Sequence, residues 1–476
     1  MNPSRFIMGL LGALVLPCGA PAQPPGAGGV SPLASRIAAA APGDTIEVGP
    51  GTYPGRLVID KAVRLVARPG PDRPMLDAQG YGDAVEIRAE NVELRGFIIE
   101  RTGSELDGEN VGVRVLANGA VIQDNELRDV LFGVDCKAAL RCVIRNNVIG
   151  AKDLDIARRG DAIRLWRSDG TLIEGNTIRD GRDSILWYSK GVIVRNNLAE
   201  RCRYGFHLMY SNDVTIEGNT LRANSVGIYF MYSTGVTVRN NIIDRNRGPS
   251  GYGIGLKDTD AFVIENNILS GNRVGMYLDN SPVVRTNRVL IARNTIAVND
   301  VGMQFLPSVK GNTLTGNTML DNFEQISVLG RGDLSDNEFD LDGAGNFWGD
   351  YAGYDADHDG VGDTEYESQT LFENLMDREP KLRLLMFSPV QQAIEFVGRA
   401  LPAIRPEPKF SDLYPLMRPA GATLVAPARA GGGNIWIAAA ALLGVPSMIV
   451  GFAFADRLLA RPAARRNCPA MGGATA

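Results

Sequence analysis

The chain has 476 residues, a net charge of −5 with both signs interspersed, and only two histidines. That balance excludes a nucleic-acid-binding surface as the organising feature. The 55 glycines exceed the usual share of about 7% and return at fixed places in a repeat, so they mark turns and not a flexible linker.

Arg5, the apolar run from Phe6 to Leu16 and Ala20-Pro-Ala22 have the order of an export signal, which predicts removal of residues 1–22. Cys18 stands near the place of a lipidated cysteine, with an unfavourable Pro17 before it. Residues 23–30 are Pro/Gly-rich. Pro32 to Ala41 reads as a short amphipathic helix with Leu33, Ile37 and Ala41 on one face, placed to cap a solenoid. Strands are predicted at Thr45–Val48, Arg56–Ile59, Val63–Ala67 and Ala84–Ile87, and Val92–Ile99 opens the first coil, with Phe97 where later coils have Asn.

A repeat then dominates. Asn197, Asn219 and Asn241 are 22 residues apart and end three nearly superimposable lines. Each line holds short Val/Ile/Thr runs broken by Gly, Asn and Ser, so it is made of strands and turns. Self-similarity at this period predicts an all-β fold, a right-handed parallel β-helix of about a dozen coils over residues 31–342, roughly 55 Å long. The repeat asparagines tolerate a left-handed corner and can bond backbone groups in a ladder. The ladder is read as Asn125, Asn147, Asn176, Asn197, Asn219, Asn241, Asn267, Asn294, Asn312 and Asn337. A long step after Asn147 puts a loop near Lys152–Arg159, and another after Asn241 puts a bulge at Arg247–Gly251. Cys136 and Cys142 are either a disulfide or small buried residues.

In β-strands alternate residues share a face. Phe206 and Leu208 match the apolar columns of other coils, so His207 and Met209 face outward. One coil later Tyr229 and Met231 take those columns, with Leu186 and Tyr188 expected on one side and Gly255 and Lys257 on the other. Imidazole with thioethers is a soft donor set that selects Cu(I). The alternative is an apolar exterior strip covered by the C-terminal arm, with methionine as adaptable packing. A rival class is a carbohydrate-active enzyme (a lyase, hydrolase or epimerase), which needs facing carboxylates. Asp258, Asp260 and Asp279 with Lys257 are the only acidic cluster near the regular coils, and a Lys257–Asp279 ion pair explains them.

Past the coils, residues 343–380 hold Gly345-Asn-Phe-Trp-Gly-Asp-Tyr351 and then Asp355, Asp357, Asp359 and Asp363 around glycines. This is a hard-oxygen set for Ca²⁺ or a metal-free Asx/Gly turn, with His358 pointing to solvent. Residues 381–430 combine an amphipathic helix from Pro389 to Ala400 with a Pro-rich arm carrying Leu413-Tyr-Pro-Leu-Met417 that suits docking better than core formation. Residues 435–456 contain 21 uncharged residues, enough for a membrane helix, and the Arg-rich tail at 457–476 keeps the end cytoplasmic.

The Asn-capped repeats, the Gly345–Tyr351 motif, the Asp355–Asp363 run, the Phe387-Ser-Pro-Val-Gln-Gln392 segment and Leu413–Met417 together resemble the NosD family, periplasmic maturation factors of nitrous oxide reductase. The resemblance covers roughly residues 31–419 and implies a non-enzymatic protein that helps load copper into the reductase. Its implied partners are an ABC ATPase/permease pair, a copper chaperone, the reductase and the inner membrane. It also implies that the segment after the rod docks on the transporter, expected to use Phe387, Ile394, Phe396, Leu413, Tyr414, Leu416 and Met417, and that the cargo at His207, Met209 and Met231 is Cu(I). A metal-free structural adaptor would share these partners.

Overall fold

The computed structural model describes residues 31–420, apart from 286–288, 331, 369 and 405. The expected export signal, Cys18, Cys468, residues 421–430 of the arm, the 435–456 span and the tail lie outside these residues. Among the described residues no helix is long and apolar enough to cross a membrane.

Three parallel sheets of 12, 13 and 12 strands form the walls of a β-solenoid. Each strand pairs with the strand three further on, so every regular coil contributes one strand to each wall; only the final strand of the second wall departs from this step. Most strands of the first two walls are three residues long with only the middle side chain fully inside, as in Leu172–Glu174 and Thr215–Glu217. Register stacks like on like: Ile122, Ile144, Ile173, Val194, Ile216 and Val238 form one continuous buried column. Each such side chain stabilises by about 1.5–3 kcal/mol, and a one-residue slip would turn the column outward.

The first coil is capped by α1 (Leu33–Ala39), which buries Leu33 and Ile37. The long step after Asn147 holds a 3₁₀ turn at Ile156–Arg158. The Arg247–Gly251 insertion precedes the strand Tyr252–Lys257. Cys136, Cys142 and Cys202 are buried free thiols.

The asparagines form a hydrogen-bonded ladder with their side chains inside. Asn219 Oδ1 accepts both the backbone N–H and the amide of Asn197 at 2.9 Å, and Asn197 Nδ2 also donates to the Ile173 carbonyl at 3.0 Å. Phe97, at the first corner, donates its backbone N–H to Asn125 Oδ1 at 3.0 Å. The left-handed corner belongs to the residue before each ladder asparagine, not to the ladder residue itself: Asn196 has φ 56°, Asn240 has φ 57° and Gly218 has φ 65°. A Cβ at Gly218 would lie 2.7 Å from Asn196 Oδ1, so space as well as φ selects glycine there.

Two parts of the sequence reading are corrected. After Asn294 the ladder runs through Asn317 and Asn346, in steps of 23 and 29 residues. Asn312 and Asn337 instead bond to each other at another corner. The short step of 18 residues from Asn294 to Asn312 marks the place where the reading left the ladder. A second ladder lies five residues after the first, through Asn224, Asn246, Asn272, Asn299 and Asn322.

The second correction concerns the end of the rod. Phe347–Trp348 adds the thirteenth strand to the second wall. Trp348 stacks on Tyr366 at 4.5 Å, and Phe410 stacks on Phe339 at 4.2 Å. Ser411–Asp412 pairs antiparallel with Tyr366–Glu367. Asp412 terminates the ladder, its Oδ2 accepting from Asn346 N at 2.7 Å and from Trp348 Nε1 at 2.9 Å. Residues 409–417, read from sequence as a docking arm, thus close the solenoid. The last coil needs an apolar lid and a final acceptor, and Phe410 and Asp412 supply them. Beside this end lie α2 (Leu371–Arg378), which the sequence reading missed, and α3 (Pro389–Ala400), which it gave with these bounds.

Candidate functional site

The third wall carries the site on the strands Tyr204–Met209 and Val226–Met231. Phe206 and Leu208 point inward over Ile228 and Phe230, which leaves His207 beside Tyr229 and Met209 beside Met231 on the outside. The two methionines are half-buried.

His207 faces outward yet is not exposed, contrary to the sequence expectation: only 8% of it is accessible. Its ring is enclosed by Tyr204, with centroids 4.7 Å apart, and by Tyr229, 6.1 Å away. Nδ1 lies 3.6 Å from Asp183 Oδ2, beyond hydrogen-bond length. Both imidazole nitrogens are buried without a hydrogen-bond partner. Leaving such groups unmade costs about 1–3 kcal/mol, so both nitrogens are open to a partner from outside the chain. Burial opposes ionisation of Asp183, but the Arg203 guanidinium and His207 hold its carboxyl below the usual aspartate value. Burial pushes the Tyr229 phenol up, as expected of a dry enclosure.

The flanking residues differ from expectation on one side. The register shifts between Asp183 and Ile185, so Ile185 pairs with His207 and Trp187 with Met209. Leu186 therefore lies over Leu208 in the core. Tyr188 belongs to an outer column, stacked on Tyr210 at 5.0 Å, which stacks on Tyr232 at 4.8 Å. The Trp187 indole donates its N–H to Met209 Sδ at 2.7 Å. On the other side Gly255 and Lys257 stand where the sequence put them. A Cβ at Gly255 would collide with the Tyr229 ring, so glycine lets that ring lie across the next coil.

The acidic cluster has local partners. Lys257 pairs with Asp279 at 3.7 Å, Asp258 accepts from Asn280 at 2.5 Å, and Asp260 accepts the Val284 N–H at 2.9 Å.

The family model described as "Periplasmic copper-binding protein (NosD)" matches residues 144–353, which include His207, Met209 and Met231. The "Probable ABC transporter binding protein NosD" of Pseudomonas aeruginosa is 30% identical over 383 residues, 77% of this chain and 87% of that protein. The chain belongs to the NosD family. The protein of the same description from Stutzerimonas stutzeri is 29% identical over 381 residues, 77% of this chain and 85% of its own. Among solved structures, the A-module of the Azotobacter vinelandii mannuronan C-5 epimerase AlgE6 overlaps at TM-score 0.44 and 15% identity, covering 65% of this chain and 92% of that one. That likeness is too loose to speak to activity.

The remaining expected residues lie beyond the stretch matched by the NosD family model. Asp355, Asp357 and Asp359 bring one oxygen each within 4.8 Å of one another. Asp363 serves the loop differently, its Oδ2 accepting the Ala356 N–H at 2.7 Å. His358 is exposed at φ 63°. Phe387 and Phe396 are 73% and 70% exposed, and Leu413 and Tyr414 are exposed as well. Ile394, Leu416 and Met417 are half-buried. Leu416 and Met417 donate their backbone N–H groups to Asn346 and Gly360, so they close the rod as well as edge its surface.

The sequence reading placed Tyr229 beside His207 but missed Trp187 and Tyr204. An indole one coil from the methionine column was visible in the repeat, but the bulge that aligns it was not.

Proposed function

We propose that this chain is a periplasmic Cu(I) carrier that works with an ABC ATPase/permease to help assemble the copper centre of nitrous oxide reductase. Membership of the NosD family supports the periplasmic, copper-related and transporter-associated part of this reading. One observation carries the copper part: the two buried, unpartnered nitrogens of His207 beside the Met209/Met231 thioether pair. Imidazole and thioether together suit a soft monovalent cation, and the ion is cargo that arrives from a copper chaperone and leaves for the reductase.

In this reading residues 1–22 direct export and the 435–456 stretch tethers the rod to the inner membrane. The exposed Phe387, Phe396, Leu413 and Tyr414, with Ile394, Leu416 and Met417, form the transporter-facing surface. Asp355, Asp357 and Asp359 hold a structural Ca²⁺ with Asp363 bracing the loop. The chain itself has no catalytic role.

The test is an anaerobic Cu(I) competition titration of the full-length chain against a chromogenic chelator. One tight equivalent is expected, weakened at least tenfold in His207→Ala and in Met209→Leu/Met231→Leu. Binding unchanged in both variants would place the metal elsewhere. In cells, deletion of the gene should leave the reductase exported without its active-site copper, and a fully metallated reductase would remove the idea.

A further inference from the structure

The strand Asp183–Trp187, one coil before His207, ends on an indole that the copper reading does not use. Its N–H is directed at Met209 Sδ, 2.7 Å away. A thioether is a weak acceptor and methionine has three rotatable bonds, so an unrestrained Met209 would sample many sulfur positions. Holding it costs rotamer entropy, which this contact offsets before any metal arrives. The sulfur has two lone pairs and the indole takes only one. The backbone register fixes the arrangement, because Trp187 and Met209 are direct partners across the two coils. Trp187 is itself braced edge-on by Trp166, with ring centroids 5.5 Å apart.

We infer that Trp187 is a positioning residue of the soft-metal site, fixing the Met209 thioether through its indole N–H and standing beside the bound cation. The inference rests on the copper reading and adds a member to the site. Its second half follows from geometry. A soft cation sits about 2.3 Å from a ligating sulfur, so whichever lone pair it takes, it lies within about 5 Å of Trp187 Nε1. A heavy soft ion at that distance quenches the indole's fluorescence. Tyr188, next along the chain, lies in the outer tyrosine column and has no such contact with Met209.

The experiment titrates Ag(I), a redox-inert soft cation, into the full-length chain while intrinsic tryptophan fluorescence and competitive binding are read together. Wild type should lose fluorescence in step with one equivalent. Trp187→Phe keeps an aromatic ring and removes the N–H. It should lose most of the quenching and bind Ag(I) about three- to tenfold more weakly, the scale of one net hydrogen bond. Trp166→Phe should keep both the quenching and the affinity. Circular dichroism checks that each variant is folded. Full quenching in Trp187→Phe, or unchanged affinity in that variant, would overturn the inference. If Met209→Leu/Met231→Leu still loses binding in that case, the copper reading stands without Trp187. Wild-type affinity in the double methionine variant would remove both.

Discussion

Glu324 sits in the last coil, 1% exposed, among two cations and two other carboxylates. Arg383 reaches it at 3.1 Å and Lys409 at 3.4 Å, while Lys409 also binds Asp377 at 2.6 Å. Glu373 on α2 adds a third carboxylate to the group. Burial is the main reason that the Glu324 carboxyl is pushed up to about 7, Lys409 opposing and Asp377 and Glu373 adding to the rise. In the unfolded chain the same group releases its proton near 4.5. Between these values the native state binds more protons than the unfolded one, so stability falls as pH rises through that window. One proton corresponds to about 1.4 kcal/mol per pH unit, or about 3 kcal/mol across the whole interval. Glu324→Gln replaces the protonated acid with a neutral amide of the same shape and removes this slope. The assay is urea unfolding of both proteins at half-unit steps from pH 4.5 to 8. The difference in stability between them should change by about 3 kcal/mol below pH 7 and stay constant above it. Parallel profiles would show that Glu324 is ionised throughout and would refute the account of this buried cluster.

Other outcomes follow from particular contacts. Asn219→Ala removes the acceptor of both Asn197 donors and a donor to the Val194 carbonyl, so guanidinium unfolding should show a loss of about 2–4 kcal/mol. Asp412→Ala strands the Asn346 backbone N–H and the Trp348 indole N–H inside the cap and should cost a similar amount, with Trp348 fluorescence shifted to the red. Phe387→Ala with Phe396→Ala should leave stability within about 0.5 kcal/mol, since both rings are exposed, while reducing capture of the chain by transporter-containing membranes. Asp355→Asn with Asp357→Asn should abolish any rise in melting temperature on adding Ca²⁺, and a rise equal to wild type would place that ion elsewhere.

The coils were legible because their determinants are local and repeated. Asn197, Asn219 and Asn241 at equal spacing, with Val194, Ile216 and Val238 three residues before each, specify both corner and core without knowledge of any distant residue. Where spacing broke, the reading broke: eighteen residues separate Asn294 from Asn312, and the ladder skipped to Asn317. The outward direction of His207 and Met209 followed from alternation. The covering of His207 did not, because it depends on how Tyr204 and Tyr229 fold over a neighbouring strand. The bulge at Asp183–Ile185 hid Trp187, since one extra residue exchanges the two faces of a strand. The cap was misread for a different reason. Residues 409–417 complete a hydrogen-bond series begun at Asn125, and no local pattern in a Pro-rich stretch announces the acceptor that Asn346 needs from 66 residues further along the chain.

The register that places Met209 beside Met231 also acts as a calliper. Neighbouring strands stand about 4.8 Å apart, and two sulfurs each about 2.3 Å from one cation span about 4.6 Å when the three atoms are in line. The same bond lengths at a tetrahedral angle bring the sulfurs to about 3.8 Å. In the copper reading the coil pitch brings the two methionine backbones to about the span of a two-coordinate ion, and the flexible thioethers make the adjustment that either geometry needs.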